Sequence, residues 1–192
     1  MRIISGRFKS RKIFSHIVND SCTRLNTGRF RPTTDMAKET LFNVLNNIID
    51  FNKLKCLDLF AGSGSLGFEA ISRGADSCDF VDISRKQTAL ITKTADALGC
   101  SDSISVYNTD ALEFLKHLQA TGNSFYDLIF ADPPYDYQDY SKLLDTVMKS
   151  GFSVFVLEYS LPLNLHYDIC RYEVRDKRTG KTNFKIFISK DT

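Results

Sequence analysis

Short apolar runs alternate with helix-like segments along most of this 192-residue chain. Five runs have the length and composition of buried strands: Lys55–Phe60, Ser77–Asp82, Ser103–Tyr107, Tyr126–Ala131 and Phe152–Glu158. The segments with helical periodicity are 35 to about 50 (with Thr34 or Asp35 as N-cap), Ser65–Arg73, Ser84–Leu98, Asp110–Ala120 and Tyr140–Lys149. Strands that alternate with helices of about 10–15 residues build βαβ units, whose parallel sheet is covered on both faces. The pattern therefore predicts an α/β fold.

The two ends of the chain depart from this alternation. Residues 168–175 and 182–189 predict an antiparallel hairpin with a turn at 177–180, and residues 2–15 predict one or two short strands bent at Gly6. Residues 16–31 are rich in Ser, Thr, Asn and Arg, which is typical of a polar loop. We therefore expect a small β appendage outside the core at 1–31 and one domain at 32–192.

Composition argues against several protein classes. No run of 18 apolar residues occurs, so no membrane-spanning helix is predicted, and the charged N-terminus lacks the apolar run of a secretory signal. The five cysteines are widely spaced and form no C-x-x-C pair, which favours a reduced compartment and no metal site. None of the three histidines is predicted to be catalytic. We expect a cytoplasmic protein and favour a monomer.

A glycine-rich segment follows the first predicted strand and opens the next helix. Its residues Gly62, Gly64 and Gly67 match the pattern G-x-G-x-x-G. Glycines permit positive φ and let a ligand approach the backbone closely. The same pattern is the fingerprint of dinucleotide-binding folds, so an oxidoreductase is one alternative.

Acidic residues at the ends of successive strands narrow the choice of cofactor. Asp82 suits the hydroxyls of a ribose, and Asp110 suits an adenine amino group, although Asp110 is equally suited to cap a helix. Asp58, inside the first strand, suits a cationic amino group, which favours S-adenosylmethionine over a dinucleotide. The predicted cofactor-binding residues are Asp58, Phe60, Ala61, Gly62, Gly64, Asp82, Ile83, Asp110 and Ala111.

The sequence Asp132-Pro133-Pro134-Tyr135 directly follows the fourth predicted strand. Two prolines fix φ and remove two backbone donors. Methylation of an exocyclic amino group needs a carboxylate and a carbonyl to accept its hydrogens and an aromatic face for the base. Asp132, the Pro133 carbonyl and Tyr135 would supply these, and all four residues are predicted to be catalytic. Asp and Pro are also common in ordinary turns, so this turn alone leaves both interpretations open.

Basic side chains are concentrated near the N-terminus. Residues 1–31 carry eight Lys or Arg against one acid, and residues 171–190 carry seven against two. Clustered cations among aromatic residues are typical of a surface that contacts nucleic-acid phosphates, although short charge runs are often only solvated. The predicted RNA-binding residues are Arg2, Arg7, Arg11, Lys12, Arg31, Thr33, Lys177, Arg178 and Lys181.

These motifs together resemble the RsmD family of bacterial 16S ribosomal RNA guanine-N2 methyltransferases. The resemblance is carried by Met1–Gly6, by Arg31–Asp35 with Lys38–Asn43, by Leu57–Gly67, by Ser72–Ala75 and by Asp132–Tyr135. It implies a Rossmann-like class I methyltransferase fold with a seven-stranded sheet. It also implies S-adenosylmethionine as cofactor, S-adenosylhomocysteine as product, and a guanine of 16S rRNA in an assembled or assembling small subunit as substrate.

The chain departs from that family in places. Met36 and Lys38 stand where arginines are expected, which weakens the expected phosphate contacts there, and the loop at 16–30 is longer than usual. Two other functions stay open. An adenine-N6 methyltransferase would use the same turn, and a non-catalytic RNA-binding protein would keep the basic segment.

Overall fold

The computed structural model describes residues 1–15, 35–122, 125–159, 167, 170–180 and 182–190. Its helices are α1 Asp35–Leu45, α2 Ser65–Arg73, α3 Arg85–Leu98, α4 Ala111–Thr121 and α5 Tyr140–Met148, with a short 3-10 turn at Ser101–Ser103. Its strands are β1 Lys55–Leu59, β2 Ser77–Val81, β3 Ile104–Tyr107, β4 Tyr126–Ala131, β5 Phe152–Tyr159, β6 Tyr172–Thr179 and β7 Thr182–Ser189.

The seven strands form one sheet in the order β3-β2-β1-β4-β5-β7-β6. Strands β1 to β5 pair in parallel, and β7 pairs antiparallel with both β5 and β6. The chain runs outward from β1 to β3 and then returns to the other side of β1 as β4. Open α/β sheets bind ligands at such a switch point, beyond the carboxyl ends of the strands. The predicted fold class, with its mostly parallel sheet and C-terminal hairpin, is confirmed.

Alternate residues of the central strands face two separate hydrophobic clusters. In β4, Leu128 and Phe130 belong to the cluster that includes residues of α1, α2 and α3, whereas Ile129 and Ala131 belong to the cluster of α4 and α5. Successive side chains of a strand point to opposite faces, so burial on both faces requires an almost continuous apolar run. This is why Tyr126–Ala131 could be assigned as a strand from its sequence.

Helix α1 is shorter than predicted, because it ends at Leu45 rather than near residue 50. After Leu45 the backbone tightens: the N–H groups of Asn47 and Ile48 donate to carbonyls three residues back, at 3.1 and 2.9 Å. Asn side chains compete with helical hydrogen bonds, and β-branched residues lose side-chain freedom in a helix. Thr34, the alternative N-cap, lies outside the described residues.

The N-terminal segment, residues 1–15, does not form the predicted strands. Within it, Arg2 and Lys12 make one isolated antiparallel bridge. The N–H groups of Ile3 and Ile13 donate across the segment, to the carbonyls of Arg11 and Met1, whereas those of Ile4 and Ser5 donate to the Glu69 carboxylate of α2 at 2.8 and 3.0 Å. The pairing goes no further because α2 satisfies the amides of Ile4 and Ser5 in place of a neighbouring strand.

The same segment is part of the core, contrary to expectation. Ile3 and Ile13 are buried in the cluster that α1, α2 and α3 share. Gly6 permits this close packing, since its φ is 81° and a Cβ there would lie 1.8 Å from the carbonyl oxygen of Ser72.

Lys38 lies inside the protein, so the phosphate contact that was expected to be weakened at this position is not available to RNA. Its Nζ donates to the carbonyl of Arg2 at 2.7 Å and to Oγ of Ser65 at 3.2 Å, and it lies 3.4 Å from Oε2 of the buried Glu69. Burial lowers the pKa of Lys38, and the charge of Glu69 opposes that shift. The pair fastens α1, α2 and the N-terminal segment together. Met36, by contrast, is 70% exposed.

The first strand of the C-terminal hairpin is shifted towards the turn, since β6 begins at Tyr172 and not at residue 168, whereas β7 has the predicted bounds. Strand β6 extends through Lys177 and Arg178 to Thr179, which pairs with Thr182, so these two cations lie in a strand and not in a turn. A cross-strand ion pair supports the extension, because Nζ of Lys185 lies 2.7 Å from Oδ1 of Asp176. Two parts of the earlier predictions, residues 168–169 and Lys181, lie outside the described residues.

Across the described ranges, no helix is long and apolar enough to cross a membrane. The same residues contain no cluster of three or more His, Cys, Asp or Glu side chains placed to hold a metal ion. Cys56 and Cys78 are buried in β1 and β2 and form no disulfide, and burial raises the pKa of both thiols.

Candidate active site

A cavity of about 430 Å³ lies beyond the carboxyl ends of β1, β2, β3 and β4. The segments that follow these four strands form its walls. Twelve of the residues predicted to bind the cofactor or to act in catalysis line it: Asp58, Phe60, Ala61, Gly62, Asp82, Ile83, Asp110, Ala111, Asp132, Pro133, Pro134 and Tyr135. The sheet therefore brings together side chains that are up to 77 positions apart in the sequence.

The loop after β1 is held in an unusual backbone conformation. Phe60 has a φ of 58° and Gly62 a φ of 55°, and the Ala61 N–H donates to the carbonyl of Val81 at 3.0 Å. A positive φ in a bulky residue such as Phe60 costs about 1–3 kcal/mol and is concentrated at ligand-binding sites. The loop thus presents backbone to the cavity at a position where glycine alone would be unstrained.

Gly64 does not line the cavity, unlike the other predicted cofactor residues. It precedes α2 with a φ of 74°, and a Cβ there would lie 2.9 Å from the ring of Phe68 and 3.0 Å from that of Phe80. Its lack of a side chain is therefore required for packing between α2 and β2. A glycine pattern cannot distinguish this requirement from ligand contact.

Asp58 is a buried carboxyl group on the cavity wall, with 2% of its surface exposed. Oδ2 accepts a hydrogen bond from the N–H of Gly67 at 2.9 Å. Burial raises the pKa of Asp58, the Gly67 bond opposes this, and the charges of Asp132 and Asp82 add to the rise. A cationic group in the cavity would favour the ionised carboxylate and offset this cost.

Asp82 positions the glycine-rich loop. Its two carboxylate oxygens accept from backbone N–H groups, Oδ2 from Gly62 and Oδ1 from Ser84, both at 2.7 Å. The Asn108 side chain holds the next turn by donating to the carbonyls of Asp82 and Ile83. A carboxylate oxygen can accept a second hydrogen, so Asp82 still suits a ligand hydroxyl.

Asp110 caps helix α4. Its Oδ1 accepts from the N–H groups of Leu112 and Glu113, at 2.9 and 3.2 Å. This is the helix-capping role that the sequence left open for it. The residue also lines the cavity, and both capping bonds use the same oxygen.

The turn 132–135 begins where β4 ends beside β1. The N–H of Asp132 donates to the carbonyl of Leu59 at 3.5 Å, which places its side chain on the same wall as Asp58. The carbonyl of Pro134 accepts a hydrogen bond from the N–H of Tyr137 at 2.9 Å. This carbonyl is therefore used to stabilise the local backbone. Tyr135 is 42% exposed at the rim, where its ring is accessible from outside.

Nine residues that line the cavity were not predicted as site residues, and Gln87 and Tyr137 are two of them. Oε1 of Gln87 and the hydroxyl of Tyr137 are buried and have no hydrogen-bond partner among the described residues. An unpaired buried polar atom is uncommon in native proteins and calls for a partner. Neither residue belongs to a motif, so only the fold could reveal them.

The predicted RNA-binding residues lie on two separate surfaces. Arg2, Arg7, Arg11 and Lys12 are exposed on the N-terminal segment, whose first residue, Met1, lines the cavity. Arg2 also pairs with Asp35, at 3.0 Å. Lys177 and Arg178 are exposed on β6, the edge strand four positions from β1 in the sheet. Arg31, Thr33 and Lys181 lie outside the described residues.

Residues 1–188 match the model of the family described as conserved hypothetical protein 95. The chain belongs to this family. Ribosomal RNA small subunit methyltransferase D of Haemophilus influenzae is 39% identical to it over 138 residues, which cover 71% of this chain and 65% of that relative. The protein of the same name from Buchnera aphidicola of Acyrthosiphon pisum is 41% identical over 134 residues, with coverages of 69% and 62%. The resemblance to the RsmD family is confirmed.

The matched region thus spans 65% and 62% of the lengths of these two curated relatives. A solved structure extends the likeness to nearly the whole fold. The protein described as "putative methyltransferase yhhF" from Escherichia coli superposes with a TM-score of 0.78 at 25% identity, covering 98% of this chain and 97% of that one. The N-terminal segment and the hairpin are therefore included in the shared architecture.

Proposed function

We propose that this chain transfers a methyl group from S-adenosylmethionine to the exocyclic N2 amine of a guanine in 16S rRNA of the small ribosomal subunit. One observation carries the proposal: the buried carboxyl of Asp58 and the turn 132–135 face the same cavity at the switch point. The first suits a cationic cofactor and the second suits an amino group of a base. Family membership and the names of the relatives support rRNA as the substrate.

The cavity residues fit the proposed cofactor. Asp58 suits its amino group, the strained loop at Phe60–Gly62 offers backbone, and Asp82 suits its ribose hydroxyls. When bound, S-adenosylmethionine would supply a methyl group activated by a sulfonium and leave as S-adenosylhomocysteine.

The chemistry of the protein at the acceptor is mainly positioning. The lone pair of a guanine N2 is delocalised into the ring, so the nitrogen becomes nucleophilic only when its hydrogens are held out of that plane. Asp132 and the Pro133 carbonyl would accept those two hydrogens while Tyr135 stacks on the ring. Holding the reactants in this way supplies much of the rate. The methylated nitrogen then loses its proton to Asp132 or to water.

The target guanine must leave its duplex to reach the cavity. Flipping a base costs a few kcal/mol, and contacts to the surrounding phosphates offset this. The exposed cations of the N-terminal segment would make those contacts, because Met1 places this segment at the cavity. Residues 1–31 are accordingly the RNA-contacting part in this proposal, and residues 32–192 the catalytic domain.

The proposal is tested by offering labelled S-adenosylmethionine with small-subunit particles that lack the methylation, with free 16S rRNA and with duplex DNA. Nucleosides from each reaction are then identified by mass spectrometry. We expect N2-methylguanosine from an RNA substrate. N6-methyladenine instead would identify an adenine methyltransferase, and no methylated nucleoside from any substrate would refute the proposal.

The role of Asp132 is tested by Asp132→Ala, with Asp136→Ala as the matched control. Asp136 is an exposed acid directly after this turn that does not line the cavity. Asp132→Ala is expected to abolish methyl transfer while leaving the affinity for S-adenosylmethionine within a few-fold, and Asp136→Ala is expected to retain activity. Normal activity of Asp132→Ala would show that another group holds the amine.

RNA contact by the N-terminal segment is tested through the salt dependence of binding. Replacing Arg7, Arg11 and Lys12 with Gln should reduce the slope of log K against log salt by about 0.7 for each lost phosphate contact. The matched control replaces Lys116, Lys142 and Lys149, which are exposed on or next to α4 and α5. An equal slope in both triple variants would show that the N-terminal segment does not contact the RNA phosphates.

A further inference from the structure

Helix α3 carries an excess of positive charge that the sequence motifs did not single out. It contains Arg85, Lys86 and Lys93 against the single acid Asp96. The N-terminal segment, residues 1–15, contains five Lys or Arg and no acid. The helices that pack on the other face of the sheet are balanced, since α4 and α5 each contain one Lys and one acid. The excess therefore belongs to α3 and the N-terminal segment.

These two basic elements lie against each other. Nη2 of Arg11 donates to the carbonyl of Ala97 near the end of α3, at 2.9 Å. The N–H of Phe14 donates to Oγ1 of Thr94, one turn earlier in the helix, at 3.2 Å. The exposed cations of the N-terminal segment and those of α3 consequently share one surface.

Helix α3 connects this surface to the cavity. Ser84, directly before the helix, and Gln87, in its first turn, both line the cavity. Lys86 and Lys93 are exposed and lie seven positions apart, which is about two turns, so both are on the same face of the helix. The 14 residues of α3 span about 21 Å. A row of cations thus runs along the helix from the cavity to Arg11.

Phe14 places an aromatic ring within this row. The residue is 37% exposed, and Nζ of Lys93 lies 4.8 Å from the centroid of its ring. Unpaired nucleotides stack their bases on aromatic side chains while Lys and Arg contact their phosphates. A duplex offers phosphates but keeps its base faces stacked internally. An exposed ring among cations therefore suits a single strand better than a duplex.

We propose that Lys86, Lys93 and Phe14 bind an unpaired strand of the RNA that flanks the target nucleotide. The two lysines contact phosphates, and Phe14 stacks on a base. This proposal rests on the proposed function and deepens it, since it adds a surface outside the cavity to the RNA interface. The three side chains touch neither the cofactor nor the target base. They hold the neighbouring strand, which offsets the cost of bringing the target base into the cavity.

The lysines are tested with the double variant Lys86→Gln, Lys93→Gln. The matched control is Lys142→Gln, Lys149→Gln, because these lysines are also exposed and seven positions apart, on and directly after α5. Binding of a single-stranded RNA is measured at several salt concentrations. The slope of log K against log salt should fall by about 0.7 for each lost contact, about 1.4 in the Lys86, Lys93 variant. The control should keep the wild-type slope.

The ring is tested with Phe14→Leu, which keeps an apolar side chain but removes the stacking face. Its control is Phe125→Leu, at a phenylalanine that is 51% exposed directly before β4 and does not line the cavity. Phe14→Leu should weaken binding of single-stranded RNA about tenfold, leave the salt slope unchanged and leave the binding of duplex RNA unchanged. Phe14→Tyr, which restores a ring, should bind single-stranded RNA as the wild type does, and so should Phe125→Leu.

Three results would overturn the proposal. An unchanged salt slope in Lys86→Gln, Lys93→Gln, or an equal loss in the Lys142, Lys149 control, would show that α3 does not contact phosphates. Wild-type affinity in Phe14→Leu would show that no base stacks on the ring. An equal loss of single-stranded and duplex binding in Phe14→Leu would assign the ring to the fold of the segment.

These measurements are separate from methyl transfer. If no RNA is methylated, the proposed function fails, whereas the salt slope and the preference for a single strand still report on Lys86, Lys93 and Phe14. If methylation occurs, Lys86→Gln, Lys93→Gln should raise KM for the RNA and leave kcat within about twofold, because saturating RNA compensates for a lost contact outside the cavity. A lowered kcat with an unchanged KM would overturn the assignment to RNA binding.

Discussion

The Lys38–Glu69 pair predicts a large loss of stability from a change at a residue that does not itself line the cavity. Lys38→Met keeps the length of the side chain but removes the ammonium group that the carbonyl of Arg2 and Oγ of Ser65 accept from. Glu69 is then left buried with one counter-charge fewer. We expect the folded state to be strongly destabilised and the N-terminal segment to detach first.

The magnitude follows from what remains around Glu69. Removing one member of a buried ion pair costs about 3–5 kcal/mol, because the other charge stays in a low-dielectric site. Here Arg73 Nε still lies 3.0 Å from Oε1, and the amides of Ile4 and Ser5 still donate to the carboxylate. These contacts limit the loss of stability to the lower end of that range, about 3 kcal/mol. The pair itself adds little net stability, since burial already lowers the pKa of Lys38.

Urea unfolding measures this loss. A change of this size should lower the denaturation midpoint by roughly 1–2 M. The double variant Lys38→Met, Glu69→Gln should recover part of this loss, because the buried carboxylate charge is removed; the recovery stays partial because Arg73 then loses its counter-charge. Lys116→Met, which breaks the exposed pair with Glu113, should leave the midpoint almost unchanged. If Lys38→Met keeps the wild-type midpoint and the amide exchange of residues 3–13 is unchanged, then Lys38 does not stabilise the packing of the N-terminal segment.

Two further predictions concern the glycine-rich loop. Burial raises the pKa of Asp58, so its contribution to stability is present below its ordinary value of about 4 and is lost as pH rises through the raised pKa. In Asp58→Asn the free energy of unfolding should therefore fall less steeply with rising pH than in the wild type, and S-adenosylhomocysteine should bind more weakly. An equal pH dependence of the free energy of unfolding in the two proteins would contradict this. Gly67→Ala would place a Cβ 2.4 Å from the Phe80 ring and 2.7 Å from Sγ of Cys78, and should destabilise the protein by about 1–3 kcal/mol in urea. A gain in stability, as helix propensity alone predicts, would show that the ring moves aside.

The elements were predictable where local pattern and tertiary burial agree. Strand β4 and helix α2 have the bounds that their sequences indicate, because a strand buried on both faces must be apolar and a helix ending at Gly74 has a clear stop signal. The same alternation of strands and helices predicts the switch point and the acidic residues at the strand ends beside it. The order of the elements in the sequence thus predicts where the cavity lies.

What the sequence did not reveal depends on contacts between distant residues. A lysine is usually found at the surface, and the burial of Lys38 depends on Glu69, which lies 31 positions away in the sequence. The amides of Ile4 and Ser5 take the same acid as acceptor, so the N-terminal segment packs on a helix and not in a sheet. Gln87 and Tyr137 belong to no sequence motif, so only the folded structure shows that they line the cavity.

In the proposed function the cavity binds S-adenosylmethionine with its reactive end towards the turn 132–135, and a crystal structure with S-adenosylhomocysteine would show whether it does. We expect the nucleoside between the segments that follow β2 and β3, the amino group of the amino-acid end beside Asp58, and the sulfur facing Asp132. S-adenosylhomocysteine bound elsewhere on the protein, or bound here with Asp132 and Tyr135 directed away from it, would refute the proposed function.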